Sequence, residues 1–176
     1  PTSFSIDKDI DFEILTKALN IEFERNDSLR LQFIKKDKTI KQYFLPSLRM
    51  NKVPCKYFRN AEEQEKFFAE DAQKPVRFDK GATFRIYFYK NADGSNGIYF
   101  NVSHLVMDAM GSIIFYSDLI QVYRALKNGT EMPKPLASYE EYIQQEFARL
   151  ENTKKTEKHE KFYREYFAKG GEPFYA

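Results

Sequence analysis

Two residues that can handle protons lie close together in the segment IYFNVSHLVMDAMGS, residues 98 to 112. His104 is one of only two histidines in the chain, and Asp108 follows it by four residues. Histidine can take up and release a proton near neutral pH, so this pair is suited to proton transfer on a bound substrate. The spacing alone also allows a buried imidazole held by a backbone carbonyl, and a carboxylate that caps the next helix.

The pattern around His104 suggests a place for it in the fold. Strict alternation would put two sets of residues on opposite faces of a strand, with Ile98, Phe100, Val102 and His104 facing the core and Tyr99, Asn101 and Ser103 on the other side. The small residues of AMGS then lead into a helix and would let a substrate approach the backbone. Sites in layered α/β proteins gather where strands give way to helices, so we predict a candidate site here.

Other chemistries find little support in the sequence. Neither Cys55 nor His159 lies at a spacing that would complete a metal-ligand set with this pair, and His159 fits a solvated helix face. Ser103 and Ser112 lie outside any Gly-x-Ser-x-Gly elbow, and the glycine-containing stretch NADGSNG precedes a strand and not a helix. We therefore expect no metal site, no serine nucleophile and no phosphate-binding loop.

Charge and cysteine content narrow the class of protein. The 28 basic and 26 acidic residues are interleaved, which is not typical of a surface that follows a nucleic-acid backbone. A single cysteine excludes an internal disulfide and suits a reducing compartment. No apolar run approaches the roughly 20 residues of a membrane span, and the first residues do not resemble a signal peptide. We expect a cytoplasmic protein that binds neither nucleic acid nor membrane.

The elements that would position the site form one folding unit in the sequence pattern, since 176 residues are too few for two independent domains. Periodicity and capping residues predict four main helices, starting at Asp9 or Asp11, at Asn60, at Ser112 and at Ser138, and a last helix that ends at Gly170-Gly171. Alternation predicts a first strand, a hairpin of SLRLQFI with TIKQYFL, and a hairpin of ATFRIYFYK with GIYFNVSHL. Helices packed on a mainly antiparallel sheet, in an α/β or α+β two-layer arrangement, are the expected fold class.

Three segments resemble the condensation domains of nonribosomal peptide synthetases. SHLVMDAMG is similar to the HHxxxDG signature of that family, RNDSLRLQF at 25 to 33 to its RHExLRTxF segment, and KPVRFDKGATFRIYF at 74 to 88 to its PFDLxxGPLLRxxL segment. Their order and spacing also match. The resemblance continues through EMPKPLASYEEYI to FYREYFAKGG, and so covers nearly the whole chain.

The resemblance implies a chloramphenicol-acetyltransferase-like fold, with residues 1 to 176 as the amino-terminal lobe and a carboxy-terminal lobe outside this chain. The chain also starts as a strand with no preceding turn, which favours a piece of a larger protein. A tunnel between the lobes would receive phosphopantetheine arms from a donor and an acceptor carrier protein. The domain itself would hold no cofactor, and the isolated lobe would be inactive.

The family's functional residues carry over to named positions. His104 matches the second histidine of the signature, and it could act as a general base, position the nucleophile or stabilise developing charge. Asp108 matches the aspartate, which in the family supports the site through an arginine, for which Arg25 is the first candidate and Arg30 the second. Removing a buried partner from such an ion pair would cost on the order of 3 kcal/mol.

The signature is not complete in this chain. Ser103 stands in place of the first histidine, Ala109 in place of the glycine, and Met110 where the family often has tryptophan, with Gly111 following. Relatives that acylate alcohols from coenzyme A carry one histidine in an HxxxDG motif. Three hypotheses therefore stand: a carrier-dependent condensation enzyme, a stand-alone acyl-coenzyme A acyltransferase, and a degenerate lobe that docks carrier proteins without chemistry.

Overall fold

The computed structural model describes residues 1–6, 9–76, 81–151, 153–168 and 170. The chain divides into two compact units, Pro1–Leu136 and Ala137–Ala176, whereas the sequence pattern predicted one folding unit. The proline-containing stretch that follows the third helix has no regular structure, which separates the two units along the chain. Residues 77–80 of the third motif, and the final segment from Gly171 onward, lie outside the described residues.

The first unit holds six strands and three α-helices among its described residues. The strands are β1 (Thr2–Ile6), β2 (Leu31–Lys36), β3 (Thr39–Phe44), β4 (Cys55–Phe58), β5 (Phe84–Asn91) and β6 (Asn96–Val102). The helices are α1 (Phe12–Arg25), α2 (Ala61–Gln73) and α3 (Ala109–Asn128). The second unit holds α4 (Tyr139–Leu150) and α5 (Thr153–Ala168).

A four-stranded sheet in the order β1-β6-β5-β4 forms the centre of the first unit. The pairs β1–β6 and β6–β5 are antiparallel, and β5–β4 is parallel. The predicted fold class, helices on a mainly antiparallel sheet, is therefore confirmed. The sequence pattern missed β4, and α2 provides the crossover that a parallel pair requires.

Both faces of the central strands are covered. On one face, α1 and α3 pack through stacked rings, with Phe23 on Phe84 and Phe115 on Phe100. On the other face, Phe68 of α2 stacks on Tyr99 at 4.4 Å between ring centroids. Residues 96–101 are consequently all buried, so the face of β6 that carries Tyr99 and Asn101 also belongs to the core. Burying an aromatic side chain contributes about 2 kcal/mol, which is why α2 holds this face.

The hairpin of β2 and β3 forms a separate two-stranded sheet, as predicted, but it starts later than the pattern suggested. Asp27–Arg30 is a turn of 3-10 helix and not part of the strand. The guanidinium of Arg30 donates to the carbonyls of Phe23 and Glu24, which holds the chain against the end of α1 before β2 begins.

Helix ends follow the predicted capping residues in most cases. The Asp11 carboxylate accepts from the first free N–H groups of α1, and Asn60 and Ser138 cap α2 and α4 in the same way. Gly129 ends α3 in the left-handed conformation, with φ of 65°. The start of α3 at Ala109 lies three residues before the predicted start at Ser112.

Candidate functional site

His104 lies on a solvent-exposed turn between β6 and α3. Ser103 N–H donates to the carbonyl of Thr83 at 2.9 Å, and the Ser103 carbonyl accepts from the N–H groups of Val106 and Met107 at 3.1 and 3.3 Å. These bonds turn the chain away from the strand direction immediately before His104. The predicted core-facing position of the imidazole is therefore wrong.

Neighbouring residues hold this turn in place. The Ser103 Oγ accepts from Leu105 N–H at 3.3 Å, so the residue at the position of the signature's first histidine helps to form the turn. Val106 and Met107 are buried and anchor the chain immediately after the exposed His104 and Leu105. The imidazole thus projects from a segment that is fixed on both sides. Because the segment is already ordered, binding a substrate would cost little conformational entropy there.

Asp108 is the N-cap of α3 and is exposed. Its Oδ1 accepts from Gly111 N–H at 2.7 Å, and its carbonyl accepts from the N–H and the hydroxyl of Ser112, both at 3.0 Å. The predicted ion pair with Arg25 or Arg30 is wrong. The carboxylate instead satisfies a free N–H at the helix start, which is the alternative that the sequence left open.

Arg25 binds a different aspartate, ten residues further on in α3. Its Nε and Nη2 donate to the two carboxylate oxygens of Asp118 at 2.6 and 3.0 Å. The same guanidinium donates to the carbonyls of Pro133 and Lys134 at 3.1 and 2.5 Å. Arg25 therefore ties α1 to α3 and to the segment after α3, and does not contact the turn that carries His104.

Arg30, the second candidate, is also committed elsewhere. Its Nη2 donates to Asp27 Oδ1 at 2.8 Å, and Nε donates to the Leu45 carbonyl at 3.2 Å. Together with its bonds to the end of α1, these contacts hold the base of the β2–β3 hairpin. Its role in the described structure is to support the hairpin.

Glu22 lies beside the Arg25 and Asp118 pair, and the sequence motifs did not point to it. Its side chain is 0 % exposed, and Oε2 accepts from Asn26 Nδ2 at 2.8 Å while Oε1 has no hydrogen bond. Burial, together with the nearby Asp118, raises the pKa of Glu22 to about 8. A signal existed in the sequence, because Glu22 falls on the apolar stripe of α1 between Leu19 and Phe23.

A second buried charge cluster lies near the end of β6. Asp71 is 1 % exposed, and Arg85 Nε donates to its Oδ1 at 3.0 Å while Asn101 Nδ2 donates to its Oδ2 at 3.1 Å. Burial alone would raise the pKa of Asp71, but these hydrogen bonds outweigh it and hold that pKa below its ordinary value. The cluster fixes the end of α2 to β5 and to the part of β6 that precedes Ser103.

Two small residues follow the signature's aspartate. Ala109 is the first residue of α3, so this position is helical and does not require glycine. Gly111 is different, since a Cβ there would lie 3.0 Å from Met107 Cγ and 3.3 Å from Asp108 Oδ1. The absence of a side chain lets the helix start approach the turn closely.

Exposed apolar residues follow His104 along the chain. Leu105 follows it directly, and the first turns of α3 expose three more residues, Met110, Ile113 and Ile114. An apolar neighbourhood excludes water from a bound substrate and strengthens polar interactions with it. Within the described residues, no group of three His, Cys, Asp or Glu side chains could hold a metal ion. No helix in the described part of the chain has the length and apolar character to cross a membrane.

The mixed sheet covered by helices fits the chloramphenicol-acetyltransferase-like fold that the resemblance implied. The condensation domain family model matches residues 1–173, and the chain belongs to that family.

Curated relatives and solved structures agree with this assignment. Tyrocidine synthase 2 of Brevibacillus parabrevis is 23% identical over 150 residues, which are 80% of this chain and 4% of that protein. Surfactin synthase subunit 1 of Bacillus subtilis (strain 168) is 24% identical over 164 residues, which are 90% of this chain and 4% of that protein. The chain thus spans a small part of the curated relatives it matches.

The solved structures support the fold. The starter condensation domain of rhizomide synthetase RzmA has a TM-score of 0.81 at 21% identity, over 97% of this chain and 42% of that one. The first condensation domain of the CDA synthetase has a TM-score of 0.77 at 19% identity, over 97% of this chain and 44% of that one. The chain spans less than half of each structure.

Proposed function

We propose that residues 1–176 form the amino-terminal lobe of a condensation domain, which transfers an acyl group from a carrier-protein thioester to an amine or hydroxyl acceptor. The observation that carries this proposal is the exposed imidazole of His104 on a turn held by Ser103, Val106 and Met107. Family membership supports it, as does the match to 42% and 44% of two related domain structures, which fits one lobe of two.

The chemistry needs a group that acts on the nucleophile. An amine or hydroxyl attacks the thioester carbonyl, the carbon–sulfur bond breaks, and the proton lost by the nucleophile ends on the leaving thiolate. His104 Nε2 or Nδ1 can accept that proton or orient the nucleophile by accepting its hydrogen bond. Phosphopantetheine on the carrier protein, or coenzyme A, would bring the acyl group, and the domain would hold no cofactor of its own.

A second candidate, docking of carrier proteins without chemistry, rests on the departures in the signature. The Ser103 hydroxyl accepts a hydrogen bond within the turn, so this position provides no second imidazole. Ala109 is the first residue of α3. In the described structure, Ser103 forms a hydrogen-bonded turn and Ala109 begins a capped helix, which favours retained function. A single histidine also keeps the acyl-coenzyme A acyltransferase as an alternative.

The test compares two histidine variants of the full-length protein. Donor and acceptor carrier proteins are loaded, incubated with the protein, and followed by mass spectrometry of the intact carriers. His104→Ala should lower acyl transfer by roughly 10²-fold or more, because it removes the group that handles the proton. His159→Ala, the control at the chain's other histidine on exposed α5, should leave the rate unchanged.

Each alternative has its own outcome in this assay. Transfer from acyl-coenzyme A without a donor carrier would favour the stand-alone acyltransferase. Carrier binding without any transfer by the unmodified protein would favour the docking lobe. Equal rates for His104→Ala and the unmodified protein would remove His104 from the mechanism.

A further inference from the structure

The β2–β3 hairpin carries an unusual concentration of positive charge. Residues 34–43, which we call the basic hairpin, are all exposed. They contain four lysines (Lys35, Lys36, Lys38 and Lys41) and a single acidic residue, Asp37, for a net charge of +3. The whole chain has a net charge of +2, with 28 basic and 26 acidic residues, so the remainder has 24 basic and 25 acidic residues and is −1. The positive excess of the chain therefore lies in this hairpin.

One face of the basic hairpin combines lysines with exposed apolar side chains. In the register of the pair, Ile34 lies opposite Lys41, Lys36 opposite Thr39 and Gln32 opposite Tyr43, so these residues share a face. Ile34 is 53% exposed and Tyr43 is 47% exposed. A face with two cations beside two exposed apolar side chains is suited to a partner that offers acidic groups around a small apolar area.

The base of the basic hairpin is linked through α1 to the end of the sheet that precedes His104. Its base is held by Arg30, which donates to the Phe23 and Glu24 carbonyls at the end of α1. Phe23 stacks on Phe84, and Phe84 pairs with Val102, two residues before His104. A protein docked on the hairpin would therefore be anchored, through α1, to the end of the sheet that precedes His104.

We propose that the basic hairpin is a docking surface for an acidic face of a carrier protein, which it holds at the His104 end of the sheet. This inference rests on the proposed function for the nature of the partner. The tethered arm of such a carrier also includes a phosphodiester, whose negative charge is attracted by the same lysines.

Two other anionic partners fit the hairpin less well. A hairpin that enters a membrane surface leads with apolar residues, whereas the tip here is Lys36-Asp37-Lys38 and the apolar residues lie behind it. A nucleic-acid surface uses arginine and stacked aromatic side chains, and residues 34–43 contain no arginine and one tyrosine at the base. A protein surface can contact the broad face, where Ile34 and Tyr43 lie.

The test measures carrier binding apart from chemistry. In the full-length protein, Lys36→Glu with Lys41→Glu reverses two charges on the docking face, and Lys66→Glu with Lys158→Glu makes the same change in charge on exposed positions of α2 and α5. Loaded donor and acceptor carrier proteins are titrated separately by calorimetry. The hairpin variant should weaken the Kd for one of the two carriers at least 10-fold, with a smaller difference at high salt. The control pair should bind as the unmodified protein does.

Turnover separates docking from catalysis. With carrier-bound substrate, the hairpin variant should raise KM and leave kcat within 2-fold, and with a small soluble thioester it should be as active as the unmodified protein. Lys36→Ala with Lys41→Ala should have an intermediate effect, and circular dichroism should show that each variant is folded. Hairpin-dependent binding without any turnover would support docking and overturn the proposed catalysis.

Three results would overturn the docking proposal. The first is an unchanged Kd for both carriers in the Lys36→Glu and Lys41→Glu variant. The second is equal weakening by the control pair. The third is a hairpin variant that no longer binds vesicles of anionic lipid but still binds both carriers as the unmodified protein does. That result would assign the hairpin to a membrane surface.

Discussion

Asp108 and Asp118 show how far a single residue can be assigned from sequence. Both aspartates belong to the same stretch of chain, and the motif drew attention to the first. The apolar stripe of α3 contains the second, because Asp118 lies between Phe115 and Leu119 on the buried face. A carboxylate at such a position needs a cation, and Arg25 at the end of α1 supplies it. Only the packing of α1 against α3 decides which aspartate meets the arginine.

The two aspartates should therefore differ in their effect on stability. Asp108→Ala should lower the free energy of unfolding by about 1 kcal/mol, since it removes an exposed helix cap and leaves no cation unpaired. Asp108→Asn should keep most of the cap. Asp118→Ala should cost about 2 kcal/mol or more, because it leaves the Arg25 guanidinium without its main partner.

Urea unfolding of the three variants measures these differences. Glu22 Oε1 lies 3.9 Å from Arg25 Nε and can replace part of the negative charge lost with Asp118. For this reason the lower limit of the expected loss for Asp118→Ala is about 2 kcal/mol. A larger loss for Asp108→Ala than for Asp118→Ala would contradict the structure and restore the ion pair expected from the motif.

Helices and strands were predicted correctly from the sequence where only one of their faces packs against the core. The stripes of α1 and α3 and the turn residues of the two hairpins were read correctly, because their periodicity follows directly from one buried face. The burial of both faces of β6 was not predicted. Tyr99 and Asn101 alternate with Ile98 and Phe100, and this alternation gave no sign that the second face is buried as well. The four-residue β4 was missed because its parallel partner is 33 residues away from it in the chain (Cys55 opposite Phe88).

The α1–α3 contact should make stability depend on pH. The pKa of Glu22 is raised to about 8 in the folded protein, against 4.5 as its ordinary value. Between these values the folded state holds a proton that the unfolded state has lost, so stability falls as pH rises through this window and levels off above about 8. The steepest slope for one group is about 1.4 kcal/mol per pH unit.

Glu22→Gln is the matched test, since the amide keeps the shape and cannot ionise. Thermal unfolding at pH 5 and pH 8 should show that the variant gains Tm relative to the unmodified protein at the higher pH. The Glu13→Gln variant, at an exposed position of the same helix, serves as control. An equal change in Tm with pH for Glu22→Gln and the unmodified protein would show that Glu22 is not the titrating group.

At the scale of the whole molecule, three short motifs identified the family before any fold was known. They succeeded because each is a short continuous segment, such as the turn in which the Ser103 carbonyl accepts from Val106 and Met107. They could not assign the partners of those residues, because the motifs are separated by tens of residues and meet only in the folded sheet.

The polypeptide of residues 1–176 alone should fold and yet show no acyl transfer. Folding should survive because the first unit has a core of aromatic rings on both faces of its sheet. Transfer should fail because His104 is exposed, and the rate depends on holding two reactants together in a dry site. A cooperative unfolding transition and an assay with both loaded carriers and acyl-coenzyme A are the two measurements. Turnover near that of the full-length protein would show that one lobe is a complete enzyme.

The pairing of β1 with β6 has a consequence for how the chain is made. Thr2 lies beside Phe100, which is 98 residues further along the chain. At a translation rate of about 5–20 residues per second, β1 is synthesised roughly 5 to 20 seconds before its partner strand. The β5–β6 hairpin is local and can form as soon as it emerges, whereas closing the long loop to β1 is slow. During synthesis, the β1 side of the sheet therefore stays open longest, and that edge is where a nascent chain of this protein is most exposed to wrong pairing.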